Sequence, residues 1–78
     1  MIGNRTTIQR GDKTMNKLKE LREKVGMSQS QLAEKSGVNV RMIQYYEQGF
    51  KDINKAQAIT VLRLAKALDC QMEELIEE

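Results

Sequence analysis

The chain's 78 residues carry 13 lysines and arginines against 11 acids, a net charge of +2, with one cysteine and neither histidine, proline nor tryptophan. Without imidazole, and with a lone thiol, there is no zinc-ligand set and no histidine-activated nucleophile, so an enzyme, a metal centre or a cofactor has nothing in these residues to support it. The length permits one small domain, and no apolar run approaches membrane-spanning length or the core of a signal peptide, so a soluble cytoplasmic protein is expected.

Residues 1–14, MIGNRTTIQRGDKT, show no sustained apolar period and are interrupted by two glycines. They are expected to form a flexible N-terminal extension ahead of a domain spanning 15–78. Arg5, Arg10 and Lys13 against Asp12 make the segment locally basic. That suits an arm laid along a DNA groove as well as an extension without a role. Met15 is a candidate natural start, because Arg10-Gly11-Asp12 can be encoded by purine-rich codons resembling a bacterial ribosome-binding site; the mass of the native protein decides. Charge is polarised in the remainder: from Met15 to Leu68 ten bases face five acids, while from Asp69 onward there are five acids and no base. Such a dipole turns its basic side toward phosphate and its acidic tail away.

Asn16 is placed to cap a first helix running to about Lys24, with Leu18, Leu21 and Val25 on one stripe and Gly26 ending it. Ser28 begins a second, and Gln31 three residues on completes a capping-box spacing, with Leu32 and Ala33 on the buried side. Gly37 stops this helix by admitting a left-handed backbone, and Val38 plugs the turn.

Asn39 is the next cap. Behind it, Ile43, Tyr46 and Phe50 fall on an apolar face, while Arg41, Gln44, Tyr45 and Gln48 fall on a long polar face free of acids. A solvated surface is the plainer explanation of such a polar stripe. Gly49 closes the third helix. Asn54 is the expected cap of a fourth, Lys55 to about Leu68, with Ala58, Val61, Ala65 and Leu68 inward and Ile59, Leu62 and Leu64 widening the apolar arc. Cys70 fits a small buried hydrophobe. Gln71 to Glu78 is expected to be a fifth helix with Met72, Leu75 and Ile76 inward.

Two short helices joined by a tight glycine-containing turn make a helix-turn-helix, whose second helix enters the DNA major groove. The run Gln29, Leu32, Ala33, Gly37, Val38, Ile43, Tyr46, Glu47, Gly49 resembles the signature of the Cro/cI or XRE-type phage-repressor family, and the resemblance extends from about Met15 to Leu75. It implies an all-α, compact five-helix bundle of lambda-repressor-like type, with helices 2 and 3 as the helix-turn-helix. The segment Phe50 to Asn54 departs from the pattern, being a few residues longer and lacking a proline common there.

On that resemblance, Arg41, Gln44, Tyr45 and Val40 are the candidate base-reading residues on helix 3 (about 39–48). A guanidinium matches guanine O6 and N7, a glutamine amide matches adenine N6 and N7, a tyrosine reaches a base edge, a thymine methyl or a phosphate, and a valine offers only apolar contact. Gln29 matches a family position that grips phosphate, where the helix N-terminus favours an anion; Asn39 and Lys51 are further phosphate candidates flanking helix 3. The resemblance also pairs Arg22 with Glu47 as a structural ion pair between helices 1 and 3. The implied function is a sequence-specific, double-stranded DNA-binding transcriptional regulator, a repressor by promoter occlusion, forming a homodimer at least on DNA. The alternative is an antitoxin-like or coactivator-like module that holds a protein partner on the apolar surface of helices 4 and 5.

Overall fold

The computed structural model of the protein describes residues 16–77. The extension expected over 1–14 and the start at Met15 therefore lie outside the described residues. The first helix, α1 (Lys17–Lys24), begins at Asn16, whose Oδ1 accepts from the Lys19 N–H at 3.0 Å. The same amide donates to the Tyr46 carbonyl and so fastens α1 to α3 (Val40–Gln48). Leu18 is buried and Leu21 packs at the core edge. Val25, expected on the same stripe, is exposed: α1 ends at Lys24, and as the C-cap Val25 has already left the helical face.

The second helix, α2 (Gln29–Ser36), starts in the expected capping box, with the Ser28 hydroxyl accepting from the Gln31 N–H at 3.0 Å and the Gln31 side chain accepting from the Ser28 N–H at 2.8 Å. Gly37 stops it at φ +77°, a conformation costing a side-chain-bearing residue about 1–2 kcal/mol. Helix α3 opens at Asn39, whose Oδ1 accepts from the Arg41 N–H at 2.7 Å. It buries Ile43, Tyr46 and Glu47 and ends at Gly49, φ +84°. Phe50, expected on the buried stripe, lies outside it and is 73% exposed. The left-handed turn at Gly49 carries the chain off the helix axis before the stripe reaches that position.

Helix α4 (Ala58–Leu68) starts later than the sequence suggests. Asp52 takes the cap role, accepting from the Asn54 N–H at 2.9 Å, and seeds a separate 3-10 turn over Ile53–Lys55 that buries Ile53. Asn54 caps nothing; its side chain brackets the Glu77 backbone, donating to the carbonyl and accepting from the N–H. With α4 beginning at Ala58, that residue is exposed rather than inward, while Val61, Leu64, Ala65, Ala67 and Leu68 are buried.

The expected fifth helix is a single 3-10 turn, Met72–Glu74, so the described residues hold four α-helices. Asp69 turns the chain left-handed at φ +58°, and a single turn suffices to seat Leu75, the one side chain fully buried there, while Glu73 and Glu74 face outward. Within the core α2 packs on α3 and α4, α1 leans on α3, and the tail turn closes against α4. Leu18, Leu32, Ile43, Leu64 and Leu75 form its centre. No helix of the described residues is long and apolar enough to cross a membrane.

Candidate nucleic-acid interface

The turn between α2 and α3 is held by two local devices. Gly37 donates its N–H to the Ala33 carbonyl at 2.9 Å, and the buried Ser36 hydroxyl accepts from the Val38 N–H at 3.1 Å, pinning Val38 into the core. The angle between the helices is therefore set from inside. With Ile43, Tyr46 and Glu47 locked inward, the other side of α3 is left outward. Arg41 on that side is exposed, and Val40, Gln44 and Tyr45 are half-buried; Gln48, one turn beyond Gln44, is also exposed.

Beneath this face lies a polar hub. The Arg22 guanidinium donates from Nε to Glu47 Oε2 at 2.6 Å and from Nη2 to Oε1 at 3.1 Å, while Nη1 donates to the Met27 carbonyl at 2.8 Å. Both charges are buried. The hydrogen bond to Glu47 raises the Arg22 pKa above its usual value against the opposing effect of burial, so the guanidinium stays charged. Gln29 Nε2 adds a third donor to Glu47 at 2.9 Å, and Gln29 Oε1 accepts from Gln44 Nε2 at 3.4 Å. One connected chain thus runs from α1 through α3 and α2 back to α3.

The donors dictate its direction. Guanidinium only donates and carboxylate only accepts, so Gln29 must turn its NH2 to Glu47 and its carbonyl to Gln44. Gln44 then turns its own NH2 inward, leaving its carbonyl oxygen and second N–H for other partners.

The residues expected at phosphate are spread around α3. Asn39 is exposed at its start, with Oδ1 committed to the cap. Lys51 is exposed just past its end. Gln29 stands at the first position of α2, half-buried, with both ends of its side-chain amide engaged in the hub. The side chain is therefore tied into the scaffold, and with the Gln31 N–H taken by Ser28, the backbone N–H groups of Gln29 and Ser30 are the donors left at that helix end.

Sequence reasoning missed Ser36, the Met27 carbonyl and the Gln29 to Gln44 link. Ser36 immediately before Gly37 carries a signal, since a serine there can satisfy a turn N–H two residues on. The other two join residues five and fifteen positions apart in sequence and have no local signature.

Residues 18–75 match a family model described as Helix-turn-helix. Among curated proteins no match is found. Among solved structures, the restriction-modification controller protein C.AhdI from Aeromonas hydrophila is similar, at 33% identity and a TM-score of 0.71, covering 86% of this chain and all (100%) of that one.

Proposed function

The chain belongs to the XRE-type helix-turn-helix family, sequence-specific DNA-binding regulators of transcription, and from that premise we propose that it reads the major groove with the outward side of α3. The reading rests on one observation: Arg41 stands exposed in the first turn of a helix whose opposite side is fixed by Ile43, Tyr46 and the Glu47 hub. Its guanidinium forks onto guanine O6 and N7, a pairing worth about 1 to 3 kcal/mol of discrimination. Gln44, with its NH2 drawn inward, keeps a carbonyl oxygen for adenine N6–H and its second N–H for N7. Tyr45 meets a base edge or a thymine methyl, and Val40 lies against the groove wall.

Phosphates are gripped at three places: the first-turn N–H groups of α2 at Gln29, the free amide nitrogen of Asn39, and Lys51. These contacts set register and carry no sequence information. No bond is made or broken. Occupancy of the groove at a promoter is the whole mechanism, and repression follows from exclusion of other proteins there. The likeness to a restriction-modification controller protein supports such a regulatory role.

A homodimer on two-fold DNA is part of this proposal. Ile59 on α4 is half exposed and Leu62 beside it is partly exposed, an apolar strip that a second copy covers. The same strip supports the second reading, a module that holds a different protein. Selection of bound sequences from a random duplex pool separates the two. Recovery of a preferred site, with its guanine preference lost in Arg41→Ala, supports the first; a pool that stays random overturns it.

A further inference from the structure

Phe50 is the most exposed large apolar residue of the described chain and adds nothing to the core. Its surroundings are nevertheless built. The Phe50 N–H donates to the Tyr45 carbonyl at 2.9 Å and the Lys51 N–H reaches the same oxygen at 3.3 Å, a closure that the left-handed Gly49 makes possible. The backbone of Phe50 is thus anchored on Tyr45. Its ring then meets the Tyr45 ring edge to face, with centroids 6.2 Å apart and planes at 67°.

We infer that Phe50 is a positioning residue that sets the Tyr45 side chain for base recognition, an assignment that rests on the DNA reading above. Tyr45 lies one turn after Arg41 on the same side of α3 and is only half-buried, so without a neighbour its ring is free to change rotamer. The Phe50 ring closes off one side of that freedom. An edge-to-face aromatic contact favours one orientation because the positive ring edge of one partner meets the negative face of the other. The exposed phenyl is therefore a brace whose load is carried outside the core. Its removal leaves no core cavity.

The test uses the full chain and the site preferred in the random-pool selection, with affinities measured for that site and its single-base variants over a range of salt. Phe50→Ala is expected to fold as the parent does by circular dichroism. It should lose about 2- to 10-fold of discrimination at the base pair read through Tyr45. Discrimination at the base pair read through Arg41 and the salt slope stay as in the parent. Phe50→Tyr, which keeps the edge-to-face contact, restores the lost discrimination, and Phe50→Ala combined with Tyr45→Ala discriminates no worse than Tyr45→Ala alone. Unchanged discrimination, a uniform loss on every sequence, an altered salt slope, or additive effects in the double variant each overturn the assignment, as does a change confined to self-association by sedimentation. Failure of the DNA reading itself shows separately, in a parent protein that selects no sequence.

Discussion

Arg22 and Glu47, 25 residues apart in the chain, are joined by two parallel hydrogen bonds in a buried pair that Gln29 and the Met27 carbonyl complete. Every oxygen of the carboxylate and every nitrogen of the guanidinium has a partner. That completeness lets a domain this small keep two buried charges, because desolvation by itself would cost several kcal/mol per ion.

Breaking the pair from one side strands the other charge. Arg22→Ala or Glu47→Ala is expected to destabilise the fold by about 3 to 5 kcal/mol in urea unfolding, a large part of the stability of any small domain. Arg22→Met with Glu47→Leu should cost far less than the two single changes added together, because no unpaired charge remains. Additive losses in the double variant would show that the pair does not act as a unit.

Arg41 makes the opposite prediction, since it is exposed and supports nothing beneath it. Arg41→Ala should leave the free energy of unfolding within about 0.5 kcal/mol of the parent and remove about 1 to 3 kcal/mol of preference for one guanine. Arg41→Lys should not restore that preference, because an ammonium cannot make the two parallel bonds. Competition binding with single-base variants of the selected site reads both effects.

Lys51→Ala should weaken binding evenly across sequences and lower the slope of log affinity against log salt by about 1. A change in sequence preference would instead move Lys51 to the base-reading group.

Gln29→Leu distinguishes two roles for that residue. If its side chain orients Gln44 through the hub, the substitution loosens the adenine preference at one base pair and lowers stability by about 1 kcal/mol, the net worth of a lost hydrogen bond. If the side chain itself grips phosphate, affinity falls on all sequences and the salt slope drops. Because both ends of the amide are already engaged, the first outcome is expected.

Cys70 carries a pH signature. Burial first, then the carboxylates of Glu74 and Asp69, push its thiol pKa up. The folded chain therefore holds the thiol proton to higher pH than the unfolded chain, whose value is about 8.5. The resulting stabilisation is full below that value and is lost as pH rises through the folded one. The free energy of unfolding measured from pH 7 to 10 should fall more steeply in the parent than in Cys70→Ala, and alkylation of the native thiol should be slower than in urea.

What the sequence made legible was chemistry that closes within four residues. Ser28 with Gln31, Gly37 as a helix stop, and Asn39 bonding the Arg41 N–H are local devices, and the structure contains them. Periodicity failed where a helix ended before its stripe did, at Val25 and Phe50. The fourth helix begins late, behind Gln57, because Asp52 caps a separate 3-10 turn ahead of it and because the partner of Asn54 is the Glu77 backbone 23 residues away. Three apolar residues at helical spacing predict a fifth helix, but of these Leu75 alone is fully buried and a single turn seats it. On the outward side of α3 the residue types were visible, but the direction in which Gln44 turns its amide was not. That follows from the Glu47 carboxylate of the same helix, acting through Gln29 of α2.

The Glu77 clasp brings the two ends of the described residues together. Its carboxylate accepts from the Lys17 N–H at 2.8 Å, the Lys17 ammonium reaches the Ile76 carbonyl at 2.9 Å, and Asn54 holds the backbone from the other side. Asn16, Lys51 and Glu77 line one surface cleft. The described residues therefore begin and end at a single doorway, with Lys51 on its sill. If Lys51 grips phosphate as proposed, the nucleic acid shares that corner with both ends of the described residues.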